Sequence, residues 1–333
     1  MKVTNDTKAL SRIVTHDDLD GVVSAALVSS VTGIGSFFFT GPVSIQRRET
    51  ETTEGDVVCD LPCPVRFGMW FDHHAGNLED IRLRGIEIDS IPGRFDLAPS
   101  CSRVIFDHFS GVHEFPHFMA ETVAGTDRVD SFDYKTMEEW REPLPERLLA
   151  DSLFAAFGNA AASRKYLKHM VLLLRDGSMD EALSDETVKS FVDKYQGLES
   201  RSLSLVENGS SFHPDDSDKE VIIVDLTAHN RKPGIIRNTA FILYPDALAV
   251  LLVQNLFSRG QKTTNLSFSM SLSFLMNARE HSKDIGEIMR ELNIGDGHPG
   301  AGAGQIHCAG KNEMLKVKEK TVEQIIKQWY EFG

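Results

Sequence analysis

Short apolar runs that end in acidic or histidine residues mark the first 130 positions of the chain. Ile13-Val14-Thr15 reads as a buried strand entering the turn His16-Asp17-Asp18-Leu19-Asp20-Gly21, after which Val22, Val23, Ala25, Ala26 and Leu27 follow at helical spacing. Ser36–Phe39 is an aromatic strand closed by Gly41-Pro42. Asp56-Val57-Val58-Cys59 ends in Asp60 and stops at Pro62, because proline cannot continue the pairing. Phe67–Phe71 ends in Asp72-His73-His74, and Ile86-Glu87-Ile88 predicts an edge strand. Helical periodicity covers Ser102–Phe109 and Phe115–Ala124, with Gly125-Thr126-Asp127-Arg128-Val129-Asp130 following. Short strands separated by helices predict a mainly parallel sheet, with the acidic and histidine clusters on one edge of it.

Lys135–Val206 is helical in pattern, and the polar, turn-rich Asn208–Lys219 is the best boundary. Val221–Leu226 and Ala249–Gln254 then read as buried strands, and Leu266–Phe274 alternates as a half-buried one. A helix over Ser282–Leu292, a glycine-rich loop over Gly295–Gly304 and a helix over Thr321–Phe332 complete the chain. In the last helix Val322, Ile325, Ile326 and Trp329 share a face suited to core packing.

Composition narrows the class. A chain of 333 residues is about right for two domains, and 41% hydrophobic with 25% charged residues fits a globular protein. A formal net charge of -14 argues against non-specific duplex binding, which needs a basic face. It leaves room for small anions if bound metals supply positive charge locally. Cys59, Cys63, Cys101 and Cys308 form no CxxC pair and read as reduced, buried thiols rather than a zinc site. Met1–Arg12 lacks an apolar signal core, and Ala247–Val253 is too short to span a bilayer, so no membrane role and a cytoplasmic location are expected.

The candidate chemistry lies in the strand-end clusters. Strand ends of an open α/β sheet are where ligands bind. His16, Asp18 and Asp20 can converge on one divalent cation, although Asp residues at the start of a helix also serve simply as caps. Asp60, the Asp72/His73/His74 group, and Asp127 with Asp130 bring the set to more ligands than one metal needs. Two metals about 3.5–4 Å apart, bridged by a carboxylate and a water, would use them. Mixed His/Asp ligation suits Mn²⁺, with Mg²⁺ or Co²⁺ as alternatives. The glycine-rich loop can bring backbone N–H groups to a phosphate, with His298 as a further donor, or can be no more than a packed turn. His108, His113 and His117 lie apart from any carboxylate cluster and read as packing or surface residues.

The run Thr15-His16-Asp17-Asp18-Leu19-Asp20-Gly21, the strand-end Asp60, Asp72-His73-His74 and the later Gly-Asp-Gly-His-Pro-Gly-Ala-Gly-Ala-Gly resemble the motifs of the DHH phosphoesterases, in the family's order. The resemblance spans about residues 10–130 and 220–310. It implies an α/β chain with a parallel-sheet DHH domain over residues 1–150, a helical connector over 151–215, and a smaller DHH-associated domain with a mixed sheet over 216–333. It also implies that His16, Asp18 and Asp60 hold one Mn²⁺. Asp20, Asp60, His73 and Asp127 would hold the other, with Asp127 preferred to Asp130. Asp72 and His73 support the reacting centre, and His74 faces the scissile phosphate. Gly295, Gly297, His298 and Gly300 would bind the far end of the substrate. Asp296 departs from the family's glycine, and a carboxylate there is unfavourable unless it points away or pairs with Arg or Lys.

The implied activity is metal-dependent hydrolysis of short oligonucleotides or dinucleotides through a bridging hydroxide, since the acidic charge favours a short substrate. The resemblance is strongest to the nanoRNase and exopolyphosphatase-related subgroup. Exopolyphosphatase or 3′-phosphoadenosine 5′-phosphate phosphatase activity is the alternative. A non-catalytic nucleotide-binding protein is a second, disfavoured because mere binding has no need of so many ligands. The reading is open to a homodimer.

Overall fold

A computed structural model of the chain describes residues 9–156, 160–276 and 281–331. Five strands form a wholly parallel sheet: β1 (Arg12–Thr15), β2 (Phe37–Phe39), β3 (Asp56–Cys59), β4 (Met69–Asp72) and β5 (Gly93–Phe95), in the order β2-β1-β3-β4-β5. Alternation along the strands buries both faces. Ile13, Val57 and Phe71 enter one core, while Val14, Val58 and Trp70 enter another with Ile45 and Ile81. The helix Leu19–Thr32 is buried along most of its length because it packs on the sheet and against the helices Cys101–Phe109, Phe118–Asp130 and Ala160–Asp176. Strand order reverses between β1 and β3, so the crevice at their C-terminal ends is the place this topology offers a ligand.

The edge strand differs from the sequence expectation. Ile88–Ser90 is a single 3₁₀ turn, and β5 at Gly93–Phe95 takes the edge instead. A Cβ at Gly93 would lie 2.0 Å from the Trp70 carbonyl oxygen, so glycine permits the approach that pairing requires. The second helix expected over Phe115–Ala124 runs instead from Phe118 to Asp130. Gly125 does not stop it. This glycine makes room for Glu146, whose Cβ would be 3.0 Å from an added Cβ.

A second sheet has the order β10-β11-β9-β8-β7-β6, formed by β6 (Ser210–Ser211), β7 (Val221–Asp225), β8 (Ala249–Ser258), β9 (Gln261–Leu272), β10 (Gly295–His298) and β11 (Ala301–Ile306). Only β7 and β8 are parallel, so the sheet is mixed. One face packs on the helices Ile285–Glu291 and Lys311–Glu331 through Phe268, Met270, Ile288 and Trp329. Across β7 and β8 the other face packs Ile222, Val224, Val250 and Leu252 on Ala240 and Phe241. The last helix begins ten residues earlier than its apolar face suggested, and Phe332 lies outside the described residues.

The glycine-rich segment is a hairpin rather than a loop. Added Cβ atoms at Gly295 and Gly297 would lie 1.9 and 2.4 Å from the Ala303 and Ala301 carbonyl oxygens. At Gly286 an added Cβ would lie 2.4 Å from the Gly297 carbonyl oxygen, so this glycine lets the preceding helix approach the hairpin.

The chain divides into Met1–Asp133 with Pro143–Tyr195, and Tyr134–Glu142 with Gln196–Gly333. The stretch expected as a connector is therefore split. Leu153, Tyr166, Leu167, Met170 and Leu174 belong to the core under the parallel sheet, because their helices bury an apolar stripe against Leu19–Thr32. Met170→Ala is accordingly expected to destabilise the first unit by about 2–5 kcal/mol. The check is its denaturant midpoint; an unchanged midpoint is what a mere connector would give.

Candidate metal centre

The turn after β1 serves both as cap and as cluster. Asp18 is the N-cap of Leu19–Thr32 and accepts from the Gly21 N–H at 2.9 Å. A Cβ on Gly21 would sit 2.3 Å from the His16 carbonyl oxygen, so only glycine lets the helix start this close to the strand. The turn thereby brings His16 Nδ1 to 2.7 Å from Asp18 Oδ2 and 3.5 Å from Asp60 Oδ2. Asp20, in the first helical turn, is buried and points elsewhere. Its carboxylate accepts from the N–H groups of Cys101 and Ser102, at 2.7 and 2.8 Å, at the N-terminus of the helix Cys101–Phe109.

Asp60 follows β3 with a left-handed backbone, φ 55°, a conformation that costs a non-glycine residue about 1–2 kcal/mol. It is buried, yet neither carboxylate oxygen has a hydrogen-bond partner. His73 and His74 follow β4. The His73 Nδ1–H donates to the Ala98 carbonyl at 3.0 Å, which fixes that tautomer and leaves Nε2 for a ligand. That Nε2 is also buried and without a hydrogen bond, 3.7 Å from Asp60, 3.8 Å from Asp20 and 3.3 Å from Asp130. The His74 Nδ1–H donates to buried Asp72 at 2.9 Å, Asn77 donates to the other Asp72 oxygen at 2.7 Å, and the half-exposed His74 ring keeps Nε2 free.

Three overlapping groups result: His16/Asp18/Asp60, Asp60/His73/His74 and Asp20/His73/Asp130. Asp127, the choice made from the motif, is not among them. Its carboxylate is saturated by the Ser100 hydroxyl at 2.6 Å and by Arg103 at 2.7 and 3.0 Å. Asp130, one turn further along the same helix, is the residue that reaches His73. The apolar positions Met119, Val123 and Val129 continue past Gly125 and were the signal that the helix goes on. The second-sheet candidates lie apart. Gly295, Gly297 and His298 are exposed on β10, Gly300 is in the hairpin turn, and the His298 Nδ1 accepts from the Gly300 N–H at 3.2 Å. Asp296 is neutralised by Arg290 at 2.7 Å, which resolves its departure from glycine. Among the described residues, no metal-capable group includes a cysteine.

Buried, unpartnered carboxylate oxygens and an aimed imidazole nitrogen are the donor set of a divalent-ion site, and the residues fit one. Electrostatics agree. Burial first, then the neighbouring carboxylates, raise Asp20 and Asp60, and push Asp130 up to about 7. Burial opposes the charge on His16 and His73. The contact of His16 with Asp18 and the negative charge of the Asp60, Asp20 and Asp130 carboxylates around the two rings outweigh it, pushing them up to about 11 and about 10. Without cations the cluster therefore favours protonated forms.

No family model and no curated protein matches the chain. Among solved structures, it is similar to a pGpG-specific phosphodiesterase, PggH, from Vibrio cholerae, at 24% identity and TM-score 0.77, covering 97% of this chain and 100% of that one. It is also similar to a DHH domain from a protein described as a member of a ribosomal-protein family, at 11% identity and TM-score 0.53, covering 96% and 86%. A third is exonuclease RecJ bound to manganese, at 14% identity and TM-score 0.50, covering 94% and 88%. Fold and cluster define an α/β protein of two units with an acidic candidate metal centre. The fold is that of the DHH phosphoesterases.

The protonated cluster carries a stability signature. Asp130 is 3.8 unfolded and about 7 folded; His16 and His73 are 6.5 unfolded and about 11 and about 10 folded. Each binds more protons folded than unfolded between its two values, so stability falls as pH rises. Metal-stripped protein is expected to lose stability steadily from about pH 4 to about pH 10. Divalent ions should restore it most at the alkaline end. A stability curve in chelator that rises over this range would contradict the arrangement. In Mn²⁺ titrations, Asp130→Asn should lose affinity and Asp127→Asn should largely keep it.

Proposed function

We propose that the chain is a metal-dependent phosphodiesterase acting on short oligonucleotides or dinucleotides. The observation that carries this reading is the trio of buried atoms without hydrogen bonds, both Asp60 oxygens and His73 Nε2, at the strand-order reversal. His16, Asp18, Asp20, Asp60, His73 and Asp130 would hold two divalent ions with Asp60 shared. Mn²⁺ suits the mixed donors best, with Mg²⁺ or Co²⁺ as substitutes. When bound, such ions supply Lewis-acid stabilisation of a phosphate and a water of lowered pKa.

The chain's own residues do the rest. Asp72 and Asn77 hold the His74 ring so that its free Nε2 can donate to a phosphate or to the leaving oxygen. The hydrogen bond to Asp72, the largest influence on His74, raises its pKa and favours that charged, donating form. Asp20 is kept in register by the helix N-terminus it accepts from. In this reading catalysis belongs to the first unit and substrate grip to the second, through His298 on its hairpin. PggH is named as pGpG-specific, so a 5′-phosphorylated dinucleotide is the first substrate to test. The net charge of -14 disfavours long duplexes, and four free cysteines favour a reducing, cytoplasmic setting. Among the described residues no helix is long and apolar enough to cross a membrane.

With Mn²⁺, purified protein is expected to convert pGpG to mononucleotides faster than it attacks polyphosphate or 3′-phosphoadenosine 5′-phosphate. Asp60→Ala should abolish turnover, and His74→Ala should lower kcat by about 10²–10⁴-fold with little change in KM. No hydrolysis of any of these substrates with Mn²⁺, Mg²⁺ or Co²⁺ sinks the enzyme reading.

A further inference from the structure

The metal centre borders a cavity that metal ligation does not use. It measures about 250 Å³ and lies wholly within the first unit. Part of its lining is acidic, from Asp17 and the three carboxylates Asp18, Asp20 and Asp130. The rest is apolar. Val129 comes from the helix Phe118–Asp130, and Ala150, Leu153 and Phe154 come from the helix Pro145–Ala156 packed against it. The spacing i, i+3, i+4 places these last three on one helical face. Core packing accounts for only part of that face, because Leu153 is buried whereas Phe154 is 48% exposed. The Phe154 ring is nonetheless held. Tyr195, itself buried, meets it edge-on, with ring centroids 5.9 Å apart and planes at 84°.

Asp17 is the one acid of this lining outside the three metal-capable groups. Its side chain is 36% exposed, and its one ion-pair contact among the described residues, His16 Nε2 at 3.6 Å, is too long for a hydrogen bond. Its carboxylate is thus open to a donor from a ligand. The lining decides what can enter. Among the described residues no Lys, Arg or His side chain faces the cavity while four carboxylates do, so a phosphate is repelled from its interior. The volume is below the range of pockets for drug-sized ligands, about 300–1,000 Å³, and suits one ring system better than a whole nucleotide. A flat, uncharged ring with N–H donors satisfies both parts of the lining, stacking on Phe154 and donating to Asp17. A nucleobase is such a ring, and the adjoining metal centre is where its phosphate belongs. Guanine offers N1–H and the N2 amino group side by side, a pair that an acceptor-only carboxylate takes together. Adenine turns the lone pair of N1 toward the same carboxylate, which is repulsive.

We propose that this cavity is a base pocket of the first unit, in which Phe154 stacks on one base of a short nucleotide and Asp17 selects guanine over adenine. The ligand class rests on the phosphodiesterase reading, to which the pocket adds the residues that read the base beside the reacting phosphate. Phe154 and Asp17 are specificity-determining residues here, and neither takes part in the chemical step.

The test compares pGpG, pGpA, pApG and pApA as substrates of the full-length protein with Mn²⁺. Asp17→Asn replaces two acceptors by one acceptor and one donor, the pattern that adenine matches. The preference for guanine at one of the two positions is expected to fall about 10–100-fold, the worth of a charge-assisted pair of hydrogen bonds. Each preference is a ratio of kcat/KM values within one protein, so a weaker hold on Mn²⁺ by the variant cancels. Phe154→Ala should raise KM for all four substrates by about 10–100-fold with a smaller change in kcat, because stacking tolerates any base, and Phe154→Trp should restore it. An unaltered base preference in Asp17→Asn, an equal shift at both positions, or an unchanged KM in Phe154→Ala would overturn the proposal. If the wild type cleaves none of the four, the phosphodiesterase reading fails and calorimetry with Mn²⁺-loaded protein decides the pocket alone. Tighter binding of GMP than of AMP, with the difference lost in Asp17→Asn, upholds it; equal affinities in the wild type, or no binding of either, sink it.

Discussion

Mutual repulsion among buried carboxylates is the constraint on which the first unit depends. Asp18, Asp20, Asp60 and Asp130 converge at the ends of β1 and β3, and Asp20 and Asp60 are almost wholly withdrawn from water. Like charges at such spacing in a low dielectric are untenable without compensation. The fold provides part of it. A helix N-terminus faces Asp20, imidazoles face Asp18, Asp60 and Asp130, and Asp72 is shared between His74 and Asn77. What remains uncompensated is centred on Asp60, in its left-handed backbone.

The second unit poses the converse problem on a smaller scale. There an isolated cation, Arg237, is left under-satisfied beside neutral serines, while the neighbouring acid Asp296 is tied to Arg290 and removed from competition. The glycines of the hairpin serve close packing of strand on strand, and the helix before it needs its own glycine to approach. Any recognition by the hairpin falls to its side chains more than to a cradle of N–H groups.

Much of this was legible in the sequence where local pattern and tertiary structure agree. Strands β1, β3 and β4 are short apolar runs with abrupt acidic ends, and a parallel sheet flanked by helices is their natural outcome. The candidate donors on those strand ends, His16, Asp18, Asp60, His73 and His74, which the structure brings together, could be read for the same reason. Asp130 could not, because its placement depends on the helix continuing through Gly125, a residue of low helix propensity that lies close against Glu146. Residues 151–195 group with the first unit, which was not legible because a helical stripe says that a face is buried, not what buries it. Arg237 was invisible, since nothing local distinguishes an unpaired arginine from a solvated one.

Asp127, excluded from the centre, takes on a different importance. It accepts from Ser100 and Arg103, at the start of the helix whose N–H groups hold Asp20, and it sits one turn before Asp130 on its own helix. One carboxylate outside the centre thus rivets together the two helices that set the positions of Asp20 and Asp130. Asp20 and Asp130, on different helices, are thereby tied to each other through a contact that involves neither of their own side chains.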